Sequence, residues 1–204
     1  MDIGSLAIFA SALLVAAASP GPGIAAIVAR VLGRGLKGAF AFTAGMALGD
    51  VIWLTLAVLG LSAIAQTFET VFLVVKYAGA AYLLYLAWKL WKSPVGVNDA
   101  TVEQLDAKPL RLFLGGLAVT MGNPKVMIFY LALLPSIIEV ARVSLVGWLE
   151  LSAVTLGVLA FVFGSYVLLA ARTRTLFKSP RAMKLVNRFT GLTMASAAAA
   201  VASR

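Results

Sequence analysis

Apolar residues run through the chain in long blocks rather than alternating with polar ones. Blocks almost free of charge cover residues 3–29, 38–68, 70–88, 112–138, 151–171 and 189–203. The second is interrupted only by Asp50, the third by Lys76 and the fourth by Lys125. A helix needs roughly 20 mostly apolar residues to cross a bilayer. The pattern therefore predicts six transmembrane helices. Residues 183–187 bring the sixth to spanning length, and Glu150 stands at the outer end of the fifth. Small residues at 16–18 give the first block one feature of a cleaved signal, but Asp2 is the only charge before it and the run is long. It reads as a mature helix.

The longest polar stretch is 93–109, with Pro94, Gly96, Asn98, Asp99, Glu103 and Asp106. It reads as a mobile cytoplasmic linker between two three-helix halves, 1–92 and 110–204. An odd number of spans per half means that the halves insert with opposite orientation. The predicted fold is thus an all-α integral membrane protein of six transmembrane helices in two inverted three-helix repeats, an arrangement common in secondary transporters.

Composition strengthens this picture. The 204 residues are 62% hydrophobic and 12% charged, with a net charge of +9 and a mean hydropathy of +0.99. A soluble domain is about 45–50% apolar and about 25% charged. In a soluble chain the basic balance would suggest nucleic acid; here it marks loops at a membrane face, and no nucleic-acid partner is expected. Arg30, Arg34 and Lys37 follow helix 1, and Lys89, Lys92, Lys108 and Arg111 flank the connection after helix 3. Arg172, Arg174, Lys178, Arg181, Lys184 and Arg188 follow helix 5. Thirteen of the 17 cations thus fall in odd-numbered connections. The positive-inside rule makes those connections cytoplasmic and puts both termini on the other side. Trp88 and Trp91 suit the cytoplasmic interface and Trp148 the opposite one. The absence of Cys and His excludes disulfides, Cys-based metal sites and any dyad or triad that needs either residue. No metal or cofactor is expected.

Two spans are broken. Helix 1 carries Ser19-Pro20-Gly21-Pro22-Gly23 and helix 4 carries Gly122-Asn123-Pro124-Lys125, at corresponding places in the two halves. Each proline lacks an N–H and frees carbonyls of the preceding turn. Such groups are tolerated in a membrane only against protein or a wet cavity. Paired interruptions of this kind point to a midplane site. Packing kinks are the bland alternative. Each restarted segment should aim a positive dipole end and free N–H groups at the interior, ready for a carboxylate. Ser19 and Thr120 add hydroxyls, whose bland alternative is bonding back to their own helix.

Two charges lie among these helices. Asp50 has twelve uncharged residues before it and eighteen after it. A central Asp or Lys costs roughly 2.5–3.5 kcal/mol on insertion scales, so it should face the bundle interior. Asp50 suits proton exchange or the binding of a substrate ammonium. Lys125 sits in the first turn of a restarted helix, where a cation opposes the dipole. Asp50 or a substrate carboxylate would relieve this, and a structural Asp50–Lys125 pair is the bland alternative for both. Asn123 adds an amide beside them. Glu150 and Lys76 are weaker candidates, near enough to helix ends to snorkel. Gly45 and Gly49 form a small-xxx-small step beside Asp50 that admits a close neighbour. The alanines of 195–202 give helix 6 a small-residue face for packing or a homodimer contact.

Together these residues resemble the LysE/RhtB family of bacterial amino-acid exporters over nearly the whole chain. The resemblance rests on Ser19-Pro20-Gly21-Pro22, on Gly33-Arg34-Gly35-Leu36-Lys37-Gly38, and on Gly45-Met46-Ala47-Leu48-Gly49-Asp50 with Gly60-Leu61. The second half adds Asn123-Pro124-Lys125 and Pro135. It implies export of amino acids or similar small metabolites across the inner membrane, driven by antiport of protons. It also implies that both Pro-containing motifs and Asp50 lie on the transport pathway. The family often has Asn or Asp where this chain has Gly23, and Gly122 is also less typical.

Other classes fit less well. An ion channel or ion exporter would be supported by rings of acidic or soft ligands, and the sequence offers only Asp50 and Glu150, with no His or Cys. An intramembrane enzyme needs a catalytic constellation, for which Asp50 and Lys125 would be a minimal pair. Paired helix breaks argue against a basic amphipathic adaptor.

Overall fold

The computed structural model describes residues 1–60 and 108–174, with single helical positions between 81 and 92 and between 185 and 199. The described part is helical, with no strand. Its elements are α1 (Ile3–Ala18), α2 (Pro22–Arg34), α3 (Ala39–Val58), α4 (Pro109–Met121) and α5 (Pro124–Ile128). A π-helical turn (Phe129–Leu133), α6 (Leu134–Ile137), a 3-10 turn (Val140–Arg142) and α7 (Leu145–Thr173) complete them. Most of the predicted third and sixth helices, Lys76, the alanine-rich face and all but the end of the linker lie outside the described residues.

Two helices, α3 and α7, are each long and apolar enough to cross a membrane. At 1.5 Å per residue α7 reaches about 43 Å, more than the roughly 30 Å hydrocarbon core. Two bent pairs qualify as broken spans: α1 with α2, and α4 with the 124–137 segment. Each bends by 55°. The breaks fall where the sequence puts Pro20–Pro22 and Pro124. Apolar side chains such as Val15, Phe40, Leu114, Phe161 and Leu168 stand more than half exposed, as a lipid-facing surface requires.

The second broken span has a further irregularity. Pro135 cannot donate to the Leu131 carbonyl, so the helix widens there. The Leu134 N–H reaches the Phe129 carbonyl instead, closing the π turn.

The closest helix pair is α3 with α4, and glycines permit it. A Cβ on Gly45 would stand 1.9 Å from the Phe113 carbonyl oxygen, and one on Gly116 would stand 1.9 Å from the Phe42 carbonyl oxygen. Each helix thus seats its glycine on a carbonyl of the other. One turn further, Gly49 lies against Thr120 and Leu117. The small-residue step serves packing, and the packing sets Asp50 against the first broken segment of the second half.

Two apolar cores fill the bundle. One gathers Phe9, Leu13, Trp53, Leu54, Phe129, Tyr130, Leu134 and Leu151. The other gathers Ile24, Ile27, Val31, Met46, Val119, Leu159 and Phe163. Cations collect at one end of the bundle. There Arg174 donates to the Leu32 carbonyl at 3.3 Å and Arg30 to the Lys37 carbonyl at 3.1 Å. The turn between α2 and α3 uses positive φ at Gly35 and Gly38. At the opposite end the Met1 amine pairs with Glu150, and the half-buried Trp148 indole donates to Thr55 Oγ1 at 3.0 Å.

Candidate functional site

Between the two cores lies a cavity of about 50 Å³. Seven of the residues singled out from the sequence line it: Ser19, Gly21, Gly23, Asp50, Thr120, Asn123 and Lys125. Pro20, Pro22 and Pro124 do not line it. They make the breaks that shape it, Pro22 and Pro124 at the first positions of α2 and α5, where a missing N–H costs nothing. The rest of the wall is mostly apolar and includes Leu13, Ile24, Phe129, Leu159 and Phe163.

The carbonyls freed at the first break find distant partners. In an unbroken helix Ala18 O would accept from residue 22, which is a proline. It accepts instead from the Tyr166 hydroxyl of α7 at 2.7 Å. The Ser19 carbonyl accepts from Lys125 Nζ at 2.6 Å. The Ser19 hydroxyl takes its bland alternative and donates to Val15 O at 2.7 Å. What Ser19 presents across the break is therefore its backbone oxygen, not its side chain.

The two restarted helices differ at their starts. At the second, the Asn123 side chain accepts from the Lys125 N–H at 3.1 Å, and the Asn123 carbonyl accepts from both Val126 and Met127 at 3.1 Å. Its free donors are consumed. At the first, no side chain caps Gly21, and the first bond back is Ala25 N–H to Gly21 O at 2.9 Å. The N–H groups of Gly23 and Ile24, both cavity residues, have no partner within the helix. Of the two helix starts expected to offer free N–H groups, only the first leaves them open. Asn123 caps itself because its oxygen sits one residue before Pro124, in ordinary N-cap register.

Asp50 is buried, 4% exposed. It shares the cavity with Lys125 but forms no ion pair with it; the ammonium donates to Ser19 O. The neighbour of the Asp50 carboxyl is Tyr130, whose hydroxyl faces both Asp50 and Thr155 without closing a well-formed hydrogen bond to either. Tyr130 is fully buried and belongs to the π turn. Thr120 Oγ1 is likewise buried and unpartnered, so it does not bond back to its helix. Glu150 lies away from the cavity, against Met1.

Tyr130, Tyr166 and Thr155 were not expected from the sequence. Each is a lone polar-tipped residue in an apolar run, and its partner lies on another helix. Tyr130 carried one signal, its place five residues before Pro135.

The family model described as "LysE type translocator" matches residues 14–204. The chain belongs to the LysE type translocator family. Among its relatives is a protein named homoserine/homoserine lactone efflux protein from Salmonella typhi. It is 32% identical over 173 residues, 85% of this chain and 84% of the relative. A leucine efflux protein from Enterobacter sp. (strain 638) is 30% identical over 188 residues, 90% of this chain and 88% of the relative. A leucine efflux protein from Salmonella choleraesuis (strain SC-B67) is 27% identical over 186 residues, 90% of this chain and 88% of the relative. No solved structure matches the chain. This LysE-type chain is a membrane protein, and its departure at Gly23 now has a geometry. A Cβ there would stand 2.9 Å from Met46 Cε and 3.5 Å from Asn123 Nδ2. The missing side chain leaves room that Met46 and the Asn123 amide share with the cavity.

Proposed function

We propose that the protein is a secondary active exporter of neutral amino acids or related small amphoteric metabolites, coupled to proton antiport. The observation that carries this reading is that one apolar cavity holds Asp50, Lys125 and an uncapped helix N-terminus without an Asp50–Lys125 pair. A zwitterion needs separated partners of opposite sign. Its carboxylate would meet the N–H groups of Gly23 and Ile24, the Asn123 amide and Lys125. Its ammonium, or the exchanged proton, would meet Asp50. Among the described lining residues no further charged group waits for a substrate side chain, which favours neutral side chains. The efflux named for the relatives supports the same class.

In the mechanism, the cavity between the two cores keeps substrate away from bulk water, which strengthens each polar contact. Lys125 holds the first break shut through Ser19 O. A substrate carboxylate that draws the ammonium away would release that tie between the halves. Rocking of the two inverted three-helix repeats would then expose the cavity to the other side. The inner membrane, cytoplasmic odd-numbered connections and outward-facing termini belong to the same reading. An enzyme finds less support, because the Ser19 hydroxyl is tied to Val15 O.

The test is efflux from cells preloaded with mixed amino acids, with the medium read by mass spectrometry. The reading expects selective, proton-gradient-dependent appearance of one or a few neutral amino acids. Efflux identical to that of cells lacking the protein would refute it.

A further inference from the structure

Apart from Ser5, which bonds the Asp2 carboxylate, and Tyr166, which reaches Ala18 O, the hydroxyls compared in the described helices fall into two groups. Ser11, Ser19, Thr43, Thr55, Ser136, Ser165 and Thr173 each donate to a carbonyl of their own helix, three or four residues back. That is the ordinary resting place of such a side chain in an apolar helix. Thr120, Tyr130, Ser152 and Thr155 do not: their oxygens are buried and close no well-formed hydrogen bond, although Tyr130 faces Asp50 and Thr155, and Trp53 Nε1 is buried in the same way. Buried polar atoms left without a partner are costly and rare. Here five gather on the helices that surround one buried carboxylate.

Their placement is ordered. On α7 the positions Trp148, Ser152, Thr155, Leu159 and Phe163 follow helical spacing and form one face. Leu159 and Phe163 line the cavity. From Thr155 onward the same stripe turns polar: Thr155, then Ser152, then Trp148, which is bonded to Thr55 of α3. On α3, Trp53 lies one turn from Asp50 on the same face. Tyr130 joins the two sets, since it lines the cavity and faces both Asp50 and Thr155. The stripe from Thr155 to Trp148 rises about 10 Å. It leads away from the end where Arg30, Lys37 and Arg174 gather.

We propose that the polar part of this stripe, from Trp148 to Thr155, is a proton entry path that reaches Asp50 at the wall of the substrate cavity from outside it. Ordered water bridges Ser152, Thr155 and Tyr130 to Asp50, since unpartnered buried hydroxyls in polar surroundings are where buried water binds; the Trp148–Thr55 bond marks the outer end of the path without carrying the proton. Protonation of Asp50 then proceeds by relay. Each water or hydroxyl accepts one proton and passes on its own, so each carrier keeps its proton count and Asp50 gains one proton; rotation of the hydroxyls and waters then resets the chain for the next. The titratable groups facing Asp50 across the described cavity are Tyr130 and Lys125, with Lys125 held by Ser19. The path rests on the proton-antiport reading. It adds that protons arrive from the Thr55–Trp148 end, opposite the cation-rich end.

The experiment uses the full chain in proteoliposomes with an amino-acid mixture, read by mass spectrometry and an internal pH dye. Thr155→Val and Ser152→Ala each remove a stripe hydroxyl, and neither residue lines the cavity. Both should slow transport driven by a pH gradient by about tenfold or more. Counterflow of amino acids at equal pH should stay near wild type, and Thr155→Ser should restore the driven rate. Gradient-driven transport at the wild-type rate in both variants would overturn the path. Equal loss of driven transport and counterflow would also overturn it, because the residues would then be structural. Asp50→Asn separates the two levels. If it too keeps driven transport, the antiport reading fails; if it alone loses it, only the path fails.

Discussion

The ammonium of Lys125 donates to the backbone carbonyl of Ser19 at 2.6 Å. A cation from the second broken span thereby closes the break in the first. This accounts for a lysine in the opening turn of a helix, where the dipole disfavours it.

Lys125→Met should leave Ser19 O without its partner. A hydrogen bond to a charged group is worth about 1.5–3 kcal/mol, so thermal stability in detergent should fall by a comparable amount. Lys125→Arg keeps a donor and should recover part of it. Unchanged melting of Lys125→Met would show that the contact does not hold the break.

The glycine contact between α3 and α4 tolerates no side chain. Gly45→Ala or Gly116→Ala sets a methyl 1.9 Å from a backbone oxygen, and the helices must separate. Overpacking of this kind costs about 1–3 kcal/mol. Gly157 and Gly164 of α7 have open space where a Cβ would stand, so alanine there should be neutral or stabilising by up to about 1 kcal/mol. Melting curves of the four variants in one detergent check the contrast.

Gly23 controls space rather than charge. Gly23→Asn would push the flexible tip of Met46 aside and bring a second amide beside Asn123. The largest amino acids should lose transport before the smallest, with stability little changed. Competition by amino acids of graded size, measured on the efflux rate, reads this directly. Equal loss across all sizes would contradict it.

Asp2 caps α1, accepting from the Ser5 hydroxyl at 2.6 Å and the Ser5 N–H at 2.8 Å. These bonds hold its carboxyl below the usual value of 3.8. A depressed folded pKa gives stability that is present above the unfolded value and lost as pH falls through the folded one. The first turn of α1 should therefore hold at neutral pH and fray in acid. Ser5 amide shifts across an acid titration in micelles report it, and Asp2→Ala should show the frayed shift already at neutral pH.

The breaks and Asp50 were legible in the sequence because each breaks a strong local rule. Proline has no N–H to give, and a lone carboxylate in an apolar block is costly. Gly45 and Gly49 were legible as packing, but their seat on α4 was not. The partners were hidden because they lie far away in the chain: Tyr166 is 148 residues from Ala18. Ser152 and Thr155 read as ordinary members of an apolar helix. Only burial against α3 and Tyr130 distinguishes them from Ser165, which bonds back to Phe161 O. The unequal capping of the two breaks was open to reading, because Gly21 before Pro22 has no side chain to cap with and Asn123 before Pro124 has one.

The central claim is that Asp50 and Lys125 serve the substrate and the proton separately rather than each other. The most direct measurement is the initial efflux rate of Asp50→Asn, Lys125→Ala and the double variant, with membrane insertion verified for each. The account predicts loss of proton-driven efflux in both single variants and no recovery in the double variant. Recovery in the double variant, the mark of a structural charge pair, or normal efflux in both single variants would contradict it.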